Sequence, residues 1–169
     1  MINKYFLERI KFYFPHVPTS QQEILLNALC DFVISSSDTI FMLKGYAGTG
    51  KTSIVSALIQ AMDELKQPVI LMAPTGRAAK VLSSYSNHVA YTIHKKIYRQ
   101  NFAGELNGSF SLDFNPHKHT LFIVDEASMI SNYDEGNFGS GNLMDDLVSY
   151  VYGTEGCRLI LVGDSAQLP

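Results

Sequence analysis

The sequence predicts an α/β domain in which a parallel sheet carries helices on both faces, and three observations lead there. Apolar runs of strand length recur along the chain, helical patterns alternate with them, and a glycine-rich loop joins the first run to the helix after it. Near-continuous apolar runs are what strands of a parallel sheet require, because helices bury both of their faces. The 169 residues, 46% of them hydrophobic, suffice for a single core of ordinary domain size.

Taken in order, residues 1–14 are aromatic-rich but interrupted by Lys4, Glu8, Arg9 and Lys11. That pattern excludes a signal peptide or membrane span and predicts a leading amphipathic helix. Pro15 and Pro18 bracket a stiff segment. Thr19 and Ser20 then offer N-caps, with Gln22 and Glu23 at capping-box spacing, so a helix is expected over Ser20–Ile34. Residues 35–38 read as a turn and 39–44 (TIFMLK) as a short buried strand. Ile54, Leu58, Met62 and Leu65 recur at helical spacing, which predicts a helix over 52–65 with one face on the sheet. Residues 68–73 (PVILMA), 120–124 (TLFIV) and 158–162 (RLILV) supply further strands rich in branched side chains. Asn107-Gly108 is a type I′ turn signal between arms at 102–106 and 109–114, so residues 99–115 read as a small β-hairpin insertion. A polar, glycine-rich stretch at 133–142 reads as a weakly ordered loop before a helix over 143–152.

A formal net charge of −3 and a pI near 5.9 remove any global basic footprint, so nucleic-acid contact must come from a local groove. Cys30 and Cys157 lack CxxC spacing and neighbouring histidines, which argues against a disulfide framework or a zinc site. They fit a reducing, cytoplasmic setting.

The chemistry concentrates at two motifs. Gly45-Tyr46-Ala47-Gly48-Thr49-Gly50-Lys51-Thr52 matches the GxxxxGK[ST] phosphate loop and lies between a predicted strand and a predicted helix. Gly45, Gly48 and Gly50 let the backbone curl, with Ala47 and Thr49 between them, so that successive N–H groups turn toward phosphate oxygens. Lys51 supplies charge at the β- and γ-phosphates of ATP, and Thr52 a hydroxyl for Mg²⁺. Asp125-Glu126 follows the apolar run 121–124, placing two carboxylates at the C-terminal tip of a strand. Asp125 is expected to hold Mg²⁺, and Glu126 to orient and deprotonate an attacking water. An unrelated phosphate-loop NTPase or kinase, and a non-catalytic nucleotide-dependent binding module, remain compatible with these motifs alone.

Ala73-Pro74-Thr75-Gly76-Arg77-Ala78-Ala79-Lys80, then Thr92-Ile93-His94, Val124-Asp125-Glu126-Ala127-Ser128-Met129 and Val162-Gly163-Asp164-Ser165-Ala166-Gln167-Leu168-Pro169 follow the phosphate loop in that order. Together they resemble motifs Ia, Ib, II and III of superfamily 1B helicases, the RecD and Dda group that moves 5′ to 3′ on single-stranded DNA. The resemblance runs from about Pro18 to Pro169. It implies a RecA-like domain 1A over 1–169, related to the exodeoxyribonuclease V alpha subunit, with the 99–115 hairpin as the 1B insertion. It further implies that Gln22, with Gln21 as the alternative, reads adenine, a role a carboxamide suits by bidentate pairing, although Gln22 also fits the capping box. Thr75, Gly76 and Arg77 are expected to hold the DNA backbone, with Thr92 and His94 near the strand. Phe102, Phe110 and Phe114 are expected either to stack on bases at the fork or to pack within the domain. Gln167 would sense the γ-phosphate, with Asp164 in support. The second RecA-like domain and its arginine finger have no counterpart in the chain. Since such a finger is worth about 10³ to 10⁵ in turnover, the chain is expected to bind ATP–Mg²⁺, hydrolyse it poorly and unwind no duplex alone. A monomer is expected.

Overall fold

In a computed structural model, which describes residues 2–35, 40–46, 48–100, 110–131 and 138–164, five parallel strands form one sheet. They are β1 (Ile40–Gly45), β2 (Val69–Ala73), β3 (Ala90–Thr92), β6 (Leu121–Val124) and β7 (Arg158–Asp164), in the order β1-β7-β6-β2-β3. β4 (Tyr98–Gln100) and β5 (Phe110–Leu112) pair antiparallel outside it. The helices are α1 (Ile2–Tyr13), α2 (Ser20–Ile34), α3 (Lys51–Glu64), α4 (Gly76–Ser86), α5 (Ile93–Ile97) and α6 (Leu143–Tyr152), with a 3₁₀ turn at Ala127–Met129.

Side-chain alternation on the central strands creates two cores. Leu71, Leu121, Ile123, Ile160 and Val162 pack with α1, α2 and α3 on one face. Met72, Phe122, Val124, Leu159 and Leu161 pack with α5 and α6 on the other. Because both faces are buried, these strands read as unbroken apolar runs, which is why the sequence disclosed them. α1 docks through Phe6 and Ile10, joined by Phe14 just after it, all buried, while Arg9 and Tyr13 both reach the exposed carboxylate of Glu64. The apolar contacts hold this helix, since an ion pair in water is screened and contributes little. No described helix is long and apolar enough to cross a membrane.

Four features differ from the sequence expectation. β1 is an edge strand and not a buried one: Leu43 is buried, but Met42 is 49% exposed, because among the described residues β7 is its one neighbour in the sheet. β3 was not anticipated. Its three residues sit in the run Val89-Ala90-Tyr91-Thr92-Ile93, whose β-branched and aromatic content was the available signal. In the hairpin, unbroken pairing from an Asn107-Gly108 turn would oppose Gln100 to Asn115, whereas the observed register opposes Gln100 to Phe110. Packing sets that register: Phe110 stacks on Phe138 at 4.4 Å, and Tyr98 is buried beside them. The turn itself and the arm at 102–106 lie outside the described residues. Finally, the described end of the 133–142 loop is firmly held. Phe138 contacts His94, Tyr98 and Phe110, and Ser140 N–H donates to the buried Asp146 carboxylate, which also accepts from the Tyr98 hydroxyl at 2.7 Å.

Both cysteines are buried and unpaired with each other. Burial, with help from the charge of Asp31, pushes the Cys30 thiol up to about 11. The thiolate is the reactive form, so Cys30 is expected to resist a thiol-reactive dye at pH 7.5 in the folded chain and to label promptly in denaturant. Fast native labelling of Cys30 would contradict its placement between α1 and α2.

Candidate functional site

The phosphate loop leaves the C-terminal end of β1 and enters α3. Gly48 and Gly50 have φ of +78° and +88°, a left-handed backbone that side chains disfavour, and this is what the motif's glycines are for. Gly50 is the N-cap of α3, and no side chain caps that helix. By contrast α2, α4, α5 and α6 are capped by Thr19, Thr75, Thr92 and Asn142. The first N–H groups of α3 are therefore left to an incoming acceptor, in the positive end of the helix dipole. Lys51 donates from Nζ to the carbonyls of Gly45 and Tyr46, and Thr49 Oγ1 donates to Tyr46 O at 2.8 Å. These bonds hold the ammonium at the mouth of the loop.

Across from the loop stand the two carboxylates. β7 lies between β1 and β6, and its register opposes Asp164 to Gly45. Gly48, Gly50, Lys51, Thr52, Ser53, Asp125, Glu126, Gly163 and Asp164 consequently line one cleft of about 580 Å³. Asp125 is anchored by its N–H to Met72 O at 3.0 Å, and its Oδ1 accepts the Glu126 N–H at 2.9 Å. Glu126 is exposed and has φ of +54°. A left-handed conformation costs a non-glycine residue about 1–2 kcal/mol, so the tight turn after β6 aims this side chain at an energetic cost.

Tyr85 was not singled out by sequence reasoning. Its hydroxyl donates to Asp125 Oδ2 at 2.8 Å from α4, and burial together with the Asp125 charge pushes the phenol well above its ordinary range. No local signal announces it, because the partners are 40 residues apart.

The donor set fits a nucleotide and magnesium. Uncapped helix N–H groups and a lysine suit phosphates, while a threonine hydroxyl and one carboxylate suit Mg²⁺, which keeps several waters and takes phosphate oxygens as partners. Among the described residues no group of three or more His, Cys, Asp or Glu could hold a metal on its own. Gln22 fulfils the capping-box expectation and also reaches the phosphate loop. It completes the capping box with Thr19, and its Nε2 donates to Thr49 O in the phosphate loop at 3.3 Å. Ala47 and Gln167 lie outside the described residues.

The residues expected to meet DNA fall on a neighbouring part of the same sheet end. Thr75, Gly76 and Arg77 are exposed in the first turn of α4, directly after β2. Thr92 ends β3, and the register pairs it with Ala73, so the two segments emerge side by side. Thr92 caps α5 by accepting from Lys95 N–H at 3.3 Å, and the His94 ring rests edge-on against Phe138 at 5.1 Å. Of the hairpin phenylalanines, Phe110 is engaged with Phe138, Phe114 is 73% exposed, and Phe102 lies outside the described residues.

Comparison with known proteins agrees with this geometry. A family model described as an AAA domain matches residues 19–169. The ATP-dependent RecD2 DNA helicase of Deinococcus radiodurans is 32% identical over 136 residues, covering 77% of this chain and 16% of that protein. The ATP-dependent DNA helicase dda of Enterobacteria phage T4 is 33% identical over 129 residues, covering 75% of this chain and 27% of that protein. An uncharacterized protein, R530, of Acanthamoeba polyphaga mimivirus is 30% identical over 165 residues, covering 89% of this chain and 33% of that protein. The chain thus spans a third or less of the length of these curated relatives. With phosphate loop, acidic strand tip and intervening β7 arranged as described, the chain belongs to the AAA domain family, as a RecD/Dda-like domain of the superfamily 1 helicase type.

Proposed function

We propose that this chain binds ATP–Mg²⁺ and serves as the motor domain of a DNA helicase that couples ATP hydrolysis to 5′-to-3′ movement on single-stranded DNA. The observation that carries the reading is the shared cleft, where Lys51 and Thr52 face Asp125, Glu126 and Asp164 across the sheet end. Lys51 opposes the charge of the terminal phosphates, and the N–H groups of the loop and α3 orient their oxygens. Thr52 and Asp125 hold magnesium, which when bound neutralises charge on the β- and γ-phosphate oxygens. Glu126 takes a proton from the water that attacks the γ-phosphate, while Asp164, with Gln167, responds to the state of that phosphate. Gln22 reads the adenine, a role supported by its ties to both the capping box and the phosphate loop. Two buried, reduced thiols suit action in the cytoplasm.

DNA is held, in this reading, by Thr75, Gly76 and Arg77 together with Thr92 and His94, because paired strands deliver both segments to one edge of the sheet end. The β4–β5 pair forms the small insertion beside it, with Phe114 available for stacking and Phe110 serving the packing of the domain. Such contacts are to phosphates and base faces and carry little sequence preference. Arg77→Ala is expected to weaken single-stranded DNA binding uniformly across sequences and to reduce the salt slope by about 0.7, with ATP affinity unchanged. Fluorescence anisotropy over a salt series measures it. An unaltered slope would remove Arg77 from the DNA site. In a longer protein that joins this domain to a second RecA-like domain, stimulation of ATP turnover by single-stranded DNA tests the whole proposal; turnover indifferent to DNA there would leave an NTPase with no motor role.

A further inference from the structure

Asp125 is restrained from two sides. Its Oδ1 accepts the Glu126 N–H at 2.9 Å and its Oδ2 accepts the Tyr85 hydroxyl at 2.8 Å. The first donor belongs to the adjacent residue and moves with the turn. The second comes from α4, whose first turn carries Thr75 and Arg77, and its ring packs against the core shared by α3 and the sheet. We propose that Tyr85 is a positioning residue for Asp125, fixing the rotamer in which the carboxylate faces magnesium and tying α4 to the metal side of the cleft. The inference rests on the reading of Asp125 as the magnesium carboxylate.

Two effects of the phenol oppose each other. As a donor it draws electron density from Oδ2 and so reduces attraction for a cation, but it also removes the torsional freedom of the side chain. The second dominates here. Asp125 is only partly buried, so water replaces a lost donor and leaves the charge on the oxygen nearly unchanged, while the orientation imposed by α4 is not replaced. Partners that orient a metal ligand typically account for 10- to 100-fold in metal affinity.

The test is a Mg²⁺ titration of the chain in the presence of a fluorescent ATP analogue, for wild type, Tyr85→Phe and Asp125→Asn, with a parallel binding curve in EDTA. Tyr85→Phe removes only the hydroxyl and keeps the ring in the core. It is expected to raise the Mg²⁺ midpoint about tenfold and leave the EDTA affinity as in wild type. Asp125→Asn should raise the midpoint at least as far. A wild-type midpoint in Tyr85→Phe, with Asp125→Asn impaired, overturns the role of Tyr85 alone. An equal loss of affinity with and without magnesium in Tyr85→Phe also overturns it, since that pattern belongs to general packing. A wild-type midpoint in Asp125→Asn overturns instead the reading of Asp125 on which the inference stands.

Discussion

Lys51→Ala is expected to weaken ATP binding by about 100-fold or more, equivalent to about 3 kcal/mol, in a calorimetric or fluorescence titration. The Lys51 ammonium already sits at the mouth of the loop, donating to the carbonyls of Gly45 and Tyr46. Phosphate oxygens replace such neutral acceptors with charged ones, and hydrogen bonds to charged groups are worth about 1.5–3 kcal/mol each. Alanine leaves the phosphate charge to the helix dipole and backbone N–H groups, which supply direction but no full unit of charge. Loss of the carbonyl contacts perturbs the loop only locally, because Thr49 retains its bonds to Tyr46 and α3 is secured by Ile54, Leu58 and Met62 in the core. Melting near the wild-type temperature therefore accompanies the lost affinity. Wild-type affinity in Lys51→Ala would remove the loop from nucleotide binding.

Glu126→Gln is expected to lower ATP turnover by about 10²- to 10⁴-fold, the range general-base catalysis contributes, while ATP affinity stays near wild type. The backbone strengthens this expectation. Residue 126 has φ of +54°, and glutamine, with the same shape as glutamate, accepts that conformation on the same terms. The substitution thus removes the base without releasing the turn that aims it. Asp125 keeps its contacts to Met72, to the N–H of residue 126 and to Tyr85, so the magnesium side of the cleft is preserved. Single-turnover hydrolysis in the presence of single-stranded DNA separates chemistry from product release. Turnover equal to wild type excludes Glu126 as the base.

Much of this molecule is legible locally. The helix expected over Ser20–Ile34 and the one over residues 143–152 occur with those bounds, because a cap, an apolar period and a turn residue lie within a few positions of one another. The phosphate loop is legible for the same reason. Its pattern is carried by eight consecutive residues, and Gly48 and Gly50 take the left-handed backbone that the pattern's glycines allow. Asp125 and Glu126 could be placed at a strand tip because Leu121–Val124 is apolar throughout, and that pattern reflects burial on both faces.

What the sequence by itself determined is therefore most of the elements, β3 and α5 excepted, and the local pattern of the phosphate loop and the acid pair. Tertiary structure alone decided their arrangement: β7 between β1 and β6, β1 at an exposed edge, β3 beside β2, and the hairpin register set by Phe110 against Phe138. It also decided that Tyr85 meets Asp125. The physical reason is the range of the interactions. Capping bonds and backbone dihedrals act over a few residues, whereas strand order, register and cross-core hydrogen bonds depend on which distant side chains fill the same space.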